Sequence, residues 1–265
     1  MTQPLRAVFL EAGVLSCKRD GLYHQLLLEN PGLPESGPGS FSMLRVPGDP
    51  SASLLRPMSL LDCGGSLRFL FKPVGRMTRQ MTLLKEGDSV QVFGPLGNSF
   101  RETSASSVLI AGGVGLPPIH FLSRRLSGSG LAHRMILGFN HAEEIPRDLL
   151  SELTVKPEIC TLDGSEGFSG NPVECLLASR GDEALLLQAC GPLPMLKALA
   201  ESAGEEDQVE LSLEERMACG VGACRSCVVP VEIDGLRSQL TVCREGPVFE
   251  GRTLFRKEKH AGSSN

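Results

Sequence analysis

At 265 residues the chain is long enough for two domains, or three small ones, with real cores. It carries 26 Lys and Arg against 31 Asp and Glu, a formal net charge of −5 with both signs interspersed. No basic stripe with interleaved aromatics appears, so nucleic acid and anionic membranes are excluded as partners. Hydrophobic residues reach 41% without a run able to span a bilayer, and no signal peptide is visible, which reads as a soluble cytoplasmic protein.

From residue 5 to about residue 100, short apolar or alternating runs at 6–10, 23–29, 41–46, 67–72 and 89–93 are separated by Gly/Pro-rich turns at 31–39, 47–50 and 94–97. This spacing predicts a small antiparallel β-barrel. Within it lies Leu55-Arg56-Pro57-Met58-Ser59-Leu60. An arginine at a strand end can clamp a pyrophosphate with its guanidinium fork, and the Ser59 hydroxyl can bond a flavin ring nitrogen. The match is only four residues, and an exposed arginine beside a turn reads the same way. Leu70-Phe71-Lys72 and Gly75-Arg76-Met77-Thr78 follow, again offering a turn, a cation and a hydroxyl suited to phosphate and ribose.

At 107–111 the pattern becomes a continuous apolar strand, Ser107-Val108-Leu109-Ile110-Ala111, running into Gly112-Gly113-Val114-Gly115-Leu116-Pro117-Pro118 and a helical pattern through Ile119, Leu122 and Leu126. Buried strand, glycine turn and proline at a helix start make a natural phosphate site, although an ordinary tight turn reads similarly. Further strands are expected at 135–139, 158–162 and 184–190, with helices at 143–153 and 172–178. The alternation predicts a parallel sheet with helices on its faces. Its last strand ends in Cys190-Gly191-Pro192-Leu193-Pro194-Met195, before a helix through Leu196, Leu199 and Ala200 that Gly204 stops. Both glycine turns fall at the ligand-binding edge, so Cys190 is expected to face a ligand in a positional role near a nicotinamide. Residues 201–207 read as a solvated acidic linker.

Four of the nine cysteines, Cys219, Cys224, Cys227 and Cys243, follow C-x4-C-x2-C with a remote fourth member. That is the plant-ferredoxin spacing for a [2Fe–2S] cluster. Gly220 and Gly222 let the backbone curl so that its N–H groups point at the sulfurs. Tetrathiolate zinc stays open as a second reading, although structural zinc usually pairs its cysteines as two short clips. Cys17, Cys63, Cys160 and Cys175 read as buried small hydrophobes. A β-rich patch at 227–233 with the turn Asp234-Gly235 precedes the fourth cysteine, and a basic tail occupies 252–259. The expected domains are 1–102, 103–207 and 208–265.

With these stretches in view, the chain resembles the electron-transfer subunits of type B dihydroorotate dehydrogenase, within the ferredoxin–NADP reductase superfamily. Arg56-Pro57-Met58-Ser59, Gly94-Pro95-Leu96-Gly97-Asn98, Gly112-Gly113-Val114-Gly115 and Cys190-Gly191-Pro192-Leu193-Pro194-Met195 carry the resemblance. So do Glu215-Arg216-Met217-Ala218-Cys219-Gly220-Val221-Gly222-Ala223-Cys224 and Cys243-Arg244-Glu245-Gly246-Pro247-Val248-Phe249. The resemblance implies FAD at Arg56 to Ser59, Leu70, Phe71, Lys72, Met77 and Thr78, NAD(H) at Gly112, Gly113, Gly115, Cys190 and Gly191, and the cluster on the four cysteines. The family usually has glycine where Met77 stands. It further implies a partner, the FMN-bearing catalytic subunit that converts dihydroorotate to orotate in pyrimidine (UMP) biosynthesis, in a heterotetramer of two of each. Two other readings stay open: a flavoprotein subunit of a hydrogenase or NADP-linked reductase complex, and a zinc-stabilised binding module without catalysis.

Overall fold

The computed structural model describes residues 7–48, 54–103 and 106–255. The basic tail beyond Phe255 and part of the 47–50 turn lie outside them. The first third is a closed barrel of β1 (Val8–Asp20), β2 (Tyr23–Glu29), β3 (Phe41–Arg45), β4 (Arg56–Cys63), β5 (Ser66–Phe71) and β6 (Ser89–Leu96), in the order β1-β2-β5-β4-β3-β6. Alternating side chains fill it: Ala12, Val14, Leu26, Leu28, Leu44, Leu60, Phe69, Val90 and Val92 are buried, and period-two patterning of this kind sets strand register. A short helix that the sequence reading did not anticipate, α1 (Arg76–Met81), packs Met77 and Met81 into the same core.

The second unit is a seven-stranded sheet. Its parallel members are β7 (Ser107–Gly112), β8 (His133–Phe139), β9 (Glu158–Thr161), β10 (Phe168–Ser169), β11 (Leu186–Cys190) and β12 (Gln208–Ser212), in the order β10-β9-β8-β7-β11-β12. All six residues of β7 are buried, because helices cover both faces, and this explains its unbroken apolar run. Those helices are α2 (Leu116–Gly128), α4 (Pro172–Ser179) and α5 (Leu193–Ser202). The strand order reverses between β7 and β11, the crevice in which doubly wound sheets hold ligands.

After Ser212 the chain leaves the sheet for the cysteine loop, the hairpin β13 (Val228–Ile233) and β14 (Leu236–Thr241), and α6 (Val242–Glu245). It then returns as β15 (Val248–Glu250), antiparallel to β12, and closes with α7 (Gly251–Leu254). The boundary expected at residue 207 therefore falls just before a sheet strand, and the cysteine lobe is an excursion between two neighbouring strands.

Two expected elements differ. The helix over 143–153 is reduced to a 3-10 turn at Ala142–Glu144 and α3 (Arg147–Leu150), because Pro146 interrupts the ladder. The stretch 201–207 is not a solvated linker: α5 continues to Ser202, and Asp207 is buried, accepting N–H bonds from Leu185 and Gly204 and pairing with Arg180 at 3.0 Å.

The barrel docks on the sheet through buried and half-buried charges. The Asp20 carboxylate accepts the N–H groups of Asp148 and Leu149 at 3.3 and 2.9 Å, Lys72 pairs with Glu144 at 3.2 Å, and Arg68 pairs with Glu152 at 2.8 Å. His120, fully enclosed on α2, has Nε2 3.3 Å from the Leu149 carbonyl, while its Nδ1 has no partner. Burial lowers its pKa from 6.5 to about 4, outweighing the carboxylate of Glu152. The unfolded chain therefore binds this proton first, so the contribution is complete above pH 6.5 and is lost as pH falls towards 4. The difference amounts to about 3 kcal/mol. His120→Gln should flatten this limb: its urea midpoint should drop less than that of the wild type between pH 7.5 and 4.5.

Candidate cofactor clefts and cysteine loop

An open cleft of about 870 Å³ lies where the barrel meets the sheet. Barrel residues Pro57, Met58, Ser59, Leu70, Phe71, Lys72 and Thr78 line one side, and Val114, Pro117 and the segment Ser212–Glu215 line the other. Phe41, Met217 and Pro247 close the end towards the cysteine loop. Apolar walls with a few convergent polar groups suit a tricyclic ring system. Ser59, Lys72 and Thr78 supply those polar groups, and Thr78 Oγ1 also accepts the Gly75 N–H at 2.9 Å. The residues present thus fit a flavin.

Among the sequence-predicted residues, Pro57 to Ser59, Leu70 to Lys72 and Thr78 come together here. Arg56 starts β4 exposed, beside Pro57 but outside the lining. Met77 is 5% exposed and points into the barrel core, so its side chain leaves the cleft free and only its backbone faces the turn. The sequence reading missed Glu214. Its side chain is exposed on the cleft wall, and desolvation there raises its pKa. An acidic pair after an apolar strand gave no signal of this.

A second cleft of about 520 Å³ lies over the carboxyl ends of β7, β8, β9 and β11, lined by Gly112, Gly113, Gly138, Phe139, Asn140, Glu144, Leu162, Asn171, Pro172, Pro192 and Met195. Gly115 lies beneath it: a Cβ there would sit 2.3 Å from the Cys190 carbonyl oxygen, so only glycine lets the two ligand-side turns touch. Gly191 likewise abuts Gly112. Cys190 itself does not face a ligand as expected. It is fully enclosed in the central strand, lines neither cleft, and burial holds its thiol well above the ordinary range. Glu144 joins the two clefts, since it lines the second while its partner Lys72 lines the first. Burial opposes its ionisation, but the Asn140 amide N–H donors and the Lys72 ammonium hold its pKa below the usual carboxylate range.

The cysteine loop presents the donor set of a two-iron cluster. Cys219 and Cys224 lie within hydrogen-bonding reach of each other, and so do Cys227 and Cys243. Backbone N–H groups aim at the sulfurs: those of Val221 and Cys224 reach Cys219 Sγ at 3.5 and 3.4 Å, and that of Gly222 reaches Cys243 Sγ at 3.1 Å. Gly220 and Gly222 adopt φ of +73° and +79° to make this possible. The Ser226 hydroxyl, 3.2 Å from Cys224 Sγ, and the Ser226 N–H lower that thiol's pKa to about 6, favouring the ligating thiolate.

A closed barrel, a parallel sheet reversed at its nucleotide edge and a shared cleft define the ferredoxin reductase class of fold, here with a ferredoxin-type cysteine loop. Solved structures agree on that fold. The NADH-dependent reduced ferredoxin-NADP oxidoreductase involved in flavin-based electron bifurcation superposes with a TM-score of 0.77 at 24% identity, covering 92% of this chain and 89% of that one. Phthalate dioxygenase reductase gives 0.60 at 18% identity, over 89% and 77%. Residues 214–255 match the iron-sulfur cluster binding domain of dihydroorotate dehydrogenase B. The chain is 35% identical to the dihydroorotate dehydrogenase B (NAD(+)) electron transfer subunit of Listeria monocytogenes serotype 4a (strain HCC23), over 85% of this chain and 90% of that one. It is 38% identical to the probable counterpart in Pyrococcus furiosus, over 84% and 83%. The chain belongs to the family of electron transfer subunits of dihydroorotate dehydrogenase B.

Cys224→Ser should abolish the reduced-state EPR signal of the cluster while flavin absorbance is retained. An unchanged signal would remove Cys224 from the ligand set.

Proposed function

We propose that this chain passes electrons between NAD(H) and the catalytic subunit of dihydroorotate dehydrogenase, using FAD in the barrel cleft and a [2Fe–2S] cluster on Cys219, Cys224, Cys227 and Cys243. The observation that carries the reading is a shared wall: Met217 lines the cleft two residues before the first cysteine of the loop, and Pro247 lines it four residues after the last. When bound, the flavin exchanges a hydride's two electrons with NAD(H) and handles them singly towards the cluster.

The chain's own residues position and insulate. Ser59 offers its hydroxyl to the ring, Leu70, Phe71 and Phe41 exclude water, and Lys72 places a cation whose charge Glu144 balances. Arg56, beside the cleft, is proposed to hold the pyrophosphate. Gly112 and Gly113 let the nucleotide's phosphates approach the backbone at the start of α2, and Asn140 and Asn171 supply side-chain amides to the second cleft. The N–H groups of Val221, Gly222 and Cys224 stabilise thiolate charge on Cys219 and Cys243. Dihydroorotate is oxidised in the partner, which carries FMN in this reading. The net reaction, dihydroorotate plus NAD⁺ to orotate, NADH and one proton, balances with two electrons crossing this chain. The complex is read as a heterotetramer of two copies of each subunit.

Among the described residues no helix is long and apolar enough to cross a membrane. Purified without oxygen with its co-expressed partner, the chain should support dihydroorotate-dependent reduction of NAD⁺, and activity should vanish when the partner is removed. A preparation whose flavin and cluster bleach with NADH, yet which lacks that activity, would assign the chain to another reductase complex. Arg56→Ala should lower FAD occupancy at least several-fold, as judged by released flavin per chain; full occupancy would sink the pyrophosphate role.

A further inference from the structure

The second cleft carries two asparagines whose side-chain amides are held at opposite ends. Asn140 follows β8 and Asn171 caps α4, and their turns meet because residue 138 is glycine: a Cβ there would overlap the Pro172 ring. The oxygen and nitrogen of an amide are told apart by what they bond, and here the partners leave no choice. Asn140 Nδ2 lies 2.9 Å from Glu144 Oε1, and a carboxylate only accepts, so the engaged end of Asn140 is its amino group. The Asn140 N–H at 3.1 Å and the Lys72 ammonium at 3.2 Å complete the hold on Glu144.

Asn171 is the reverse case. Its Oδ1 accepts the Val173 and Glu174 N–H groups at 2.9 and 3.1 Å, and a backbone N–H only donates, so the engaged end is the oxygen. Glu174 Oε2 accepts the Asn171 N–H at 2.9 Å and closes a capping box. What remains is Asn140 Oδ1 as an acceptor and Asn171 Nδ2 as a donor, neither with a partner among the described residues. The cleft therefore has a fixed polarity.

The layout of a dinucleotide says which part meets this pair. Its phosphates approach Gly112 and Gly113, and its nicotinamide has to reach the flavin cleft for hydride exchange, so the adenosine half is what the second cleft has left to hold. Leu162, 60% exposed at this cleft, offers apolar surface to a flat base. We propose that Asn140 and Asn171 recognise the adenosine half of the nucleotide, the Asn140 oxygen accepting from it and the Asn171 amino group donating to it, with Glu144 as the positioning residue that keeps the Asn140 oxygen towards the cleft. The inference rests on the proposed function for the nucleotide, and on the two fixed amides for what is read. Adenine, with its amino donor beside a ring-nitrogen acceptor, matches this order, and hypoxanthine puts an acceptor where the amino donor was. The ribose diol also sets donors beside acceptors.

ADP-ribose, which lacks the nicotinamide, separates this contact from flavin chemistry. Its dissociation constant with the cofactor-loaded, co-expressed complex, measured by calorimetry, is to be compared with those of inosine diphosphate ribose and of the 2′-deoxyadenosine analogue, which carry the same charge. Binding weaker by about tenfold for the inosine probe assigns the base edge, and for the deoxy probe the ribose hydroxyl. Equal binding of all three would overturn the proposal. Asn171→Asp keeps the capping oxygen but turns the donor into an acceptor, so it should hold the melting temperature and lose that discrimination. Glu144→Gln frees the Asn140 amide to turn either way and should shrink the same ratio, whereas a loosened fold would weaken all three probes alike. A ratio unchanged in both variants would also overturn the proposal. Failure of the reading beneath it looks different: ADP-ribose would then not bind, and NADH would not bleach the flavin.

Discussion

The arrangement depends on one buried ionic contact between units that are far apart in sequence. Lys72 at the end of the barrel's β5 meets Glu144 in the sheet's β8–α3 connection at 3.2 Å, with side chains only 17% and 7% exposed. Asp20, close by, satisfies the free amides at the start of α3. A pair this enclosed gains little against apolar packing, but losing one partner would strand a charge at a cost of about 3–5 kcal/mol. Its value is geometric. It sets the barrel at a fixed distance from the sheet, and so fixes both the width of the first cleft and the approach of the second cleft to it.

From that registration the rest follows by contact. The barrel's Met43 and Leu96 provide the floor for Gly220, and Phe41 and Pro247 wall the cleft on the side of the cysteine loop. The barrel cleft and the cysteine loop thus share a wall. The protein supplies hardly any chemistry of its own at these walls; it supplies proximity, dryness and N–H dipoles.

Much of this was legible in the sequence because the signals are local. The four cysteines and their two glycines lie within one loop and one return, so their spacing alone marks them as a candidate donor set. The barrel's alternating runs, the buried β7 and the Gly112-Gly113 turn are equally local. What escaped depends on distant partners. Glu144 reads as one more surface acid until Lys72 arrives from another domain, and Asp207 reads as linker until Arg180 and two amides enclose it. Cys190 was misplaced for the same reason: its exposure depends on Gly115 and Ser212 packing against it, not on its position at a strand end. Pro146, by contrast, was visible and should have stopped the expected helix at 143–153.

The return of the chain to the sheet has a consequence for how this lobe can come and go. Leu213 N–H donates to the Pro247 carbonyl at 2.9 Å beside β12 and β15, and Asn98 of the barrel donates to the Gly246 and Glu245 carbonyls at 2.8 and 3.2 Å, so the lobe leaves and re-enters through a hydrogen-bonded neck. The length of such an insert hardly matters to the host, because doubling a closed loop costs only about 0.6 kcal/mol. The lobe is nonetheless rooted in the sheet's own core: Met217, Cys227, Val229, Val242 and Cys243 share one buried apolar cluster with Val209 and Leu211, so the contacts that hold the sheet also hold two of the loop's cysteines.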